Sequence, residues 1–591
     1  MHSFYGKVLT IDLTQRRYDV HQVSDDVLAK HLGGKGLATH LLLEHNPPGV
    51  DPLGPENRLI FAAGPVAGSS VWGSCRHGVF TKSPLTGYYA ESYSGGAVAE
   101  HMSGSGFDAV VIHGSSEDAV WIEISDQGVF FHSAENLWGM DTYQTEDSIK
   151  EWIKEAAGRP KGSGVVCIGP AGENQVGFAV IENDYWRSAG RTGVGAVMGS
   201  KKIKAVAFWG GQKREPHDSD RLRDLAKSFA QESKDNAVVK AYKSRGTPMV
   251  VDIMDEVGGF PTRYWQKGKS EHRNRINAEA LHESCDVKPN ACRKCFMACG
   301  RLTTVRTGRH KGLTVEGPEY ETIYAFGGLC EVDTIEEIVY LNDICDRLGM
   351  DTITAGNLVG LTIEASRQGK IDHGIDYGEV DAIAKLLEDI AARRGIGDVL
   401  AQGIKYAAKE WDMEEQAIHV KGMEPAGYDP RILKGMGLSY GTSDRGACHL
   451  RATFYKPELS GVVDPDQIEG KAEVFAEWED RLTLFDALIL CRFYRDLYQW
   501  DELSAFLKAT TGLDLDKKAM RSIAATITDN TRRFNLREGL TPEEDRLPKR
   551  FHREALPETD AIITEGQMEK LLEEYYQARG WDSSGRPLKS E

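Results

Sequence analysis

The chain has 591 residues with 71 Lys and Arg against 89 Asp and Glu, a formal charge of −18, and 41% apolar, 27% charged and 9% aromatic residues. That length needs several cores. The acidic balance argues against sequence-independent nucleic-acid binding as the main activity, and no apolar run approaches the length of a membrane span.

The opening residues alternate like a strand and lack the apolar centre of a signal peptide, so a cytoplasmic protein is expected, whose ten cysteines are thiols or metal ligands. Residues 1–210 are predicted to be mostly β. Short apolar runs at 59–63, 109–113, 165–168 and 205–209 are bounded by Gly, Pro or Ser. A junction follows at 210–216. From about 217 the period becomes helical, with apolar residues three and four apart at 335–350, 380–394, 470–500 and 515–535. The tail beyond about 580 is polar and is expected to be loose.

The strongest chemical signal is Cys292, Cys295 and Cys299. Thiolates at this spacing can converge on one iron–sulfur cluster, which needs a fourth ligand. A zinc site would normally pair this module with a second one, and none is present. Cys285 and Cys491 are both candidates for the fourth position, and spacing does not choose between them. Around the triplet, residues 287–315 contain no Asp or Glu but do contain Lys288, Arg293, Lys294, Arg301, Arg306, Arg309 and Lys311. This is either a solvated loop or a docking face for an acidic electron carrier.

Two glycine-rich stretches carry arginines. One holds Arg76 and, further on, Tyr93, Ser94 and Gly95; the other holds Arg187, Ser188 and Arg191. Small residues free backbone N–H groups to face an anion, and arginine adds a charged fork. Neither stretch matches a P-loop or a dinucleotide fingerprint.

In this order, the motifs resemble the tungsten-containing aldehyde:ferredoxin oxidoreductase family along nearly the whole chain. Further anchors are Thr81-Lys-Ser-Pro-Leu-Thr-Gly87, Gly169-Pro-Ala-Gly-Glu-Asn174, Glu316-Gly-Pro-Glu-Tyr-Glu321, Tyr428-Asp-Pro-Arg431 and Arg445-Gly-Ala-Cys-His449. The resemblance implies an α+β fold, with a β-rich base for a bis-pterin site at 1–210 and mainly helical domains at 211–415 and 416–591. It implies tungsten or molybdenum between two pterins, a [4Fe-4S] cluster, and a magnesium ion linking the pterin phosphates.

The family's pterin motifs D-x-x-G-L-[DC] correspond to Asp346-Arg-Leu-Gly-Met-Asp351 and Asp486-Ala-Leu-Ile-Leu-Cys491, the second with Ile489 in place of Gly. The resemblance therefore makes Asp346, Asp351 and Asp486 pterin ligands and selects Cys491 as the fourth cluster ligand. Carboxylates suit the pterin's N–H donors. A helical segment would place Asp486 and Cys491 about 7–8 Å apart along its axis.

Arg76, Arg187 and Arg191 match phosphate-binding stretches, and the magnesium contacts fall at the carbonyls of Tyr93 and Ser188. The implied reaction is oxidation of aldehydes to carboxylic acids, with electrons passing to ferredoxin or an Fe–S partner subunit. Glu321 is the implied acid/base, Tyr320 lies beside it, and His449 faces the aldehyde oxygen. Where some members carry E-x-x-H for a metal shared between subunits, this chain has Tyr340-Leu-Asn-Asp343, so an oligomer without that bridge is expected.

Two other readings compete: a benzoyl-CoA-type aromatic-ring reductase of the same superfamily, and a non-catalytic Fe–S electron-transfer subunit. Cys75, Cys285, Cys330, Cys345 and Cys448 receive no role.

Overall fold

The computed structural model describes residues 1–588 apart from 157 and 161. Up to residue 210 it contains two six-stranded sheets. In the first, Lys7–Asp12 pairs antiparallel with Arg17–Gln22 and parallel with Ala109–His113; Leu59–Ala62, His77–Lys82 and Tyr89–Ser94 complete it. The second is centred on Ile203–Phe208 between Gly164–Cys167 and Val120–Ser125.

Alternation along the strands explains the stacking. Leu9, Ile11, Phe61 and Val110 of the first sheet meet Ile122, Ile124, Val206 and Phe208 of the second in one core. The opposite faces also bury apolar side chains. Val8, Ile60 and Phe80 pack against the helix Gly34–His45 through Leu37, Ala38 and Leu41. Trp121, Val165 and Ala207 pack against Ile149 and Ile153 of Thr142–Glu155. The outcome is a helix–sheet–sheet–helix stack, since a sheet buried on both faces needs a cover on each.

Beyond the junction the fold is mainly helical. Ile335–Leu348, Val380–Ala391, Lys471–Leu488 and Lys517–Arg537 form where the apolar period predicts them. The α+β class expected from the sequence is therefore the one observed.

Three local expectations need correction. A three-stranded sheet, Cys285–Asn290, Gly300–Val305 and Thr314–Glu316, interrupts the helical region and carries the cysteine triplet on the loop of its first hairpin, closed by the pair Asn290 and Gly300. The tail is not loose as far as residue 588. Trp581 is buried, its indole N–H donates to Asp529 at 2.7 Å, and Arg532 donates to the Gly585 carbonyl at 2.8 Å.

The third correction concerns the segment from Asp486 to Cys491, which is not a continuous helix. Lys471–Leu488 ends at Ile489, which sits in the left-handed region at φ 52°, ψ 50°. Gly349 occupies the equivalent helix end in the first motif at φ 78°, ψ 56°. The glycine of the family motif is thus a helix-terminating residue, and Ile489 adopts its conformation at a steric cost.

The Ile489 side chain is buried with Val8, Leu37 and Phe80. Ile489→Gly relieves roughly 1–2 kcal/mol of left-handed strain but forfeits about 2–5 kcal/mol of buried side chain. The expected net result is destabilisation on the order of 2 kcal/mol, read as a lower urea midpoint at unchanged slope. A higher midpoint would mean that strain outweighs packing at this position.

Candidate active site and cluster site

A cavity of about 320 Å3 lies where the β-rich part meets the helical part. Arg76, Tyr93, Ser188 and Arg191 line it from the N-terminal side, and Glu316, Tyr320, Glu321, Asp346 and Asp351 from the middle of the chain. His449, Arg445, Arg492 and Arg495 line it from the C-terminal part. The fold thus brings together most of the residues singled out in the sequence.

Four of the predicted cofactor-binding residues sit elsewhere. The Ser94 hydroxyl donates to Asn183 at 2.6 Å, away from this cavity. Gly95 and Arg187 line the neighbouring cysteine void. Asp486 is buried behind the wall, accepting from Arg451 and from Arg492, the latter at 2.6 Å.

Glu321 stands at the start of a short helical turn, after the cis peptide Gly317–Pro318. Its Oε2 accepts from the Gly427 N–H at 2.9 Å, while Oε1 lies 3.6 Å from His449 Nε2, beyond hydrogen-bond contact. Glu321 Oε1 and His449 Nδ1 are both buried without a protein partner. Burial pushes the Glu321 carboxyl up to about 8, against the lowering effect of the Gly427 N–H and Arg191. Burial first, and then Arg191 and Arg445, hold His449 well below its usual value, so its ring is neutral. Tyr320 donates its hydroxyl to the Gly427 carbonyl and so anchors the same loop that holds Glu321.

The cavity walls are strongly hydrogen-bonded. Arg191 donates to Asp351 at 2.9 Å and to the carbonyls of Ala447 and Glu424. Asp351 also caps the helix Thr352–Arg367. Arg76 donates to the Tyr93 carbonyl at 2.8 Å, and Arg187 pairs with Glu316. Asp346 accepts from Asn342 at 2.7 Å, and burial pushes its carboxyl well above the usual range.

Sequence reasoning missed Arg445, Arg451, Arg492 and Arg495, all buried. Arg451 Nε and Nη2, Arg492 Nε and Nη1 and Arg495 Nε are buried N–H groups without a protein partner. Their signal was present: arginines in otherwise apolar segments next to the His449 and Cys491 motifs. Such unsatisfied N–H groups on buried cations are costly, and an anionic group with several acceptors would satisfy them.

Beside this cavity, Cys292, Cys295, Cys299 and Cys491 line one small void together with Cys75, Arg76 and Arg187. Cys491 follows the left-handed turn at Ile489, and its N–H donates to the Gly73 carbonyl at 2.9 Å. Gly95 permits the approach, since a Cβ there would stand 2.9 Å from Cys292 Sγ. Several thiols facing one void are a donor set that fits an iron–sulfur cluster.

Cys285 lies apart from the void and is buried among the helices, with its thiol pushed up to about 12 by burial. Arg76 bridges the two sites, lining both and placing Nη1 3.9 Å from Cys491 Sγ.

Part of the basic island around the triplet is tied to the fold. Arg301 is buried and donates to the carbonyls of Ala298, Gly300, Lys243 and Ser244. Arg293 pairs with Glu100 at 2.9 Å, and Arg309 pairs with Glu337 and Asp381 at 2.6 Å each. Lys288, Lys294 and Lys311 remain exposed.

Comparison with known proteins decides the family. The model of the aldehyde ferredoxin oxidoreductase N-terminal domain matches residues 8–210, and that of domains 2 and 3 matches residues 224–591. The chain belongs to the aldehyde ferredoxin oxidoreductase family.

Within that family, the chain is 35% identical to a tungsten-containing aldehyde ferredoxin oxidoreductase of Thermococcus kodakarensis, over 99% of this chain and 98% of the relative. It is 34% identical to the enzyme of the same name from Pyrococcus furiosus, with the same coverage. A more distant relative, at 28% identity over 99% of this chain and 96% of its own length, is the WOR-like subunit of an aliphatic sulfonate oxidoreductase of Pyrococcus furiosus. Among solved structures, the active-site complex of benzoyl coenzyme A reductase with 1,5-dienoyl-CoA shares the fold. Its TM-score is 0.84 at 23% identity, covering 99% of this chain and 96% of that one. As a member of the family the chain is an oxidoreductase. Among the described residues, no helix is long and apolar enough to cross a membrane.

Proposed function

We propose that this chain oxidises aldehydes to carboxylic acids, RCHO + H2O → RCOOH + 2 H+ + 2 e−, at a tungsten or molybdenum ion held between two pterins. The electrons would leave through a [4Fe-4S] cluster on Cys292, Cys295, Cys299 and Cys491, to ferredoxin or an Fe–S partner subunit. The observation that carries this reading is the juxtaposition of Glu321 and His449 in a buried cavity, each with an unpaired polar atom. The names of the closely related proteins support the metal and the substrate class.

The unpaired N–H groups of Arg451 and Arg492 fit an anionic, acceptor-rich cofactor. Arg76 and Arg187 would hold the pterin phosphates, with magnesium at the carbonyls of Tyr93 and Ser188. Asp346 would take the pterin's N–H groups, Asp351 would share that role with its bond to Arg191, and Asp486 would act through Arg451 and Arg492. When bound, the cofactor supplies the two-electron acceptor.

The side chains manage the proton and the charge. As water adds at the carbonyl carbon, the Glu321 carboxylate accepts a proton, and burial favours the neutral acid it becomes. The neutral His449 donates a ring N–H to the carbonyl oxygen and stabilises the charge that develops there. Tyr320, through the Gly427 loop, fixes the carboxyl's position.

In this reading 1–210 supplies the phosphate contacts, 211–415 the base and three cysteines, and 416–591 the histidine and the fourth cysteine. Metal analysis of the purified holoprotein is expected to find tungsten or molybdenum beside about four irons, with dye reduction by aldehydes and no oxidation of a reduced dye by an aromatic CoA thioester. Iron without tungsten or molybdenum in fully loaded protein would leave only an electron-transfer subunit. Activity confined to the thioester would make it a ring reductase.

A further inference from the structure

We propose that Arg495 forms an anion subsite in the wall of the catalytic cavity, selecting aromatic aldehydes that carry a carboxylate remote from the reacting carbonyl. This deepens the aldehyde reading above and rests on it.

Arg495 lines the cavity and is 1% exposed. Its Nη1 donates to the Arg492 carbonyl at 2.9 Å and its Nη2 to the Tyr455 hydroxyl at 3.2 Å, while Nε is buried without a partner. Its chain neighbour Asp496 faces Lys456 instead, at 3.6 Å. Among the described residues Arg495 has no carboxylate in ion-pair contact. The adjacent arginines differ in this respect: Arg451 pairs with Glu91 and Asp486, and Arg492 pairs with Asp486. A buried guanidinium with only neutral partners is expensive, and a carboxylate arriving there forms charge-assisted bonds in a low dielectric.

The surroundings define what else such a ligand must be. Tyr428 and Tyr455 stack at 4.0 Å with an interplanar angle of 11°. One end of this pair meets His449, at 5.9 Å between ring centroids, and the other meets Arg495, whose guanidinium carbon lies 5.7 Å from the Tyr455 ring. Two flat rings therefore separate the proposed carbonyl donor from the unpaired cation. A carboxylate seated at Arg495 must therefore sit on the substrate remote from its aldehyde, and the tyrosine rings beside that path suit an aromatic substrate.

The test compares 4-formylbenzoate with benzaldehyde in dye-coupled assays on the holoenzyme, in wild type, Arg495→Met and Arg495→Lys. Wild type is expected to favour the carboxylated substrate in kcat/KM by tenfold or more. The ratio should collapse at least tenfold in Arg495→Met, mainly through KM, and recover in part in Arg495→Lys. Calorimetric titration with terephthalate against 4-toluamide reads the same site without turnover, and terephthalate should bind more tightly only when residue 495 is cationic.

Equal ratios in wild type and Arg495→Met, or terephthalate binding indifferent to the substitution, would overturn the proposal. So would loss of tungsten, molybdenum or pterin from both variants, because Arg495 would then belong to the cofactor's cradle. If neither aldehyde is oxidised, the aldehyde reading fails, and the titration still decides whether the anion subsite exists.

Discussion

Glu321→Gln is expected to lower kcat/KM for aldehydes by roughly 10²–10⁴-fold, the range of a lost general base, while iron, tungsten and pterin contents stay at wild-type values. The amide keeps the shape, and its oxygen can still accept from the Gly427 N–H, but it cannot take a proton. The pH profile is the sharper readout. With its pKa raised to about 8, Glu321 is a neutral acid below that pH and a carboxylate above it.

The proton-accepting form therefore accumulates as pH rises, and kcat/KM should climb through neutrality to a plateau above about 8. In Glu321→Gln that ascending limb should vanish, leaving a flat residual rate. A variant with the full rate, or one that keeps the same limb, would remove Glu321 from the chemistry. His449 cannot supply that limb, because burial and the arginines around it keep its ring neutral across the range.

Cys491→Ser is the second large effect. Its loss should destroy or convert the cluster, with iron falling below about four per chain, and should cut electron delivery to ferredoxin by a hundredfold or more. Pterin and tungsten should be largely retained, since Arg76, Asp346 and Asp351 are untouched. Iron analysis and electron paramagnetic resonance of the reduced protein read the outcome.

Cys75→Ser is the necessary comparison, because Cys75 lines the same void and is the competing thiol. An intact cluster in Cys491→Ser with a damaged one in Cys75→Ser would transfer the fourth position to Cys75. Cys285→Ser should leave the signal unchanged, because its thiol is buried elsewhere.

The local features were legible in the sequence because they depend on short-range pattern. The strands with alternating apolar residues and the helices at Ile335–Leu348 and Lys517–Arg537 follow directly from periodicity. The cysteine triplet marked a candidate metal site through its spacing. The acids and His449 were found only through their place in family motifs, because a lone Glu or His carries no signature of its burial.

What failed was whatever depends on distant partners. The cysteine loop was assigned to a helical region because a three-stranded sheet of short, polar strands leaves little periodicity. The role of Arg293, Arg301 and Arg309, left open between a solvated loop and a docking face, was not legible because Glu100, the carbonyls of Lys243 and Ser244, and Glu337 lie outside the segment. The tail looked loose because the groups that hold Trp581 and Gly585 sit on a helix earlier in the chain.

By itself, then, the sequence determined the class of fold, the order of its parts and a cysteine triplet spaced for a metal site, all encoded within a few residues of one another. Only the tertiary structure decided which cysteines share a void, that Asp486 stands behind Arg451 and Arg492, and that Arg495 is buried without a carboxylate. The reason is burial. Desolvation raises Glu321, neutralises His449 and leaves arginine N–H groups in want of an anion, and it is set by chain segments hundreds of residues apart.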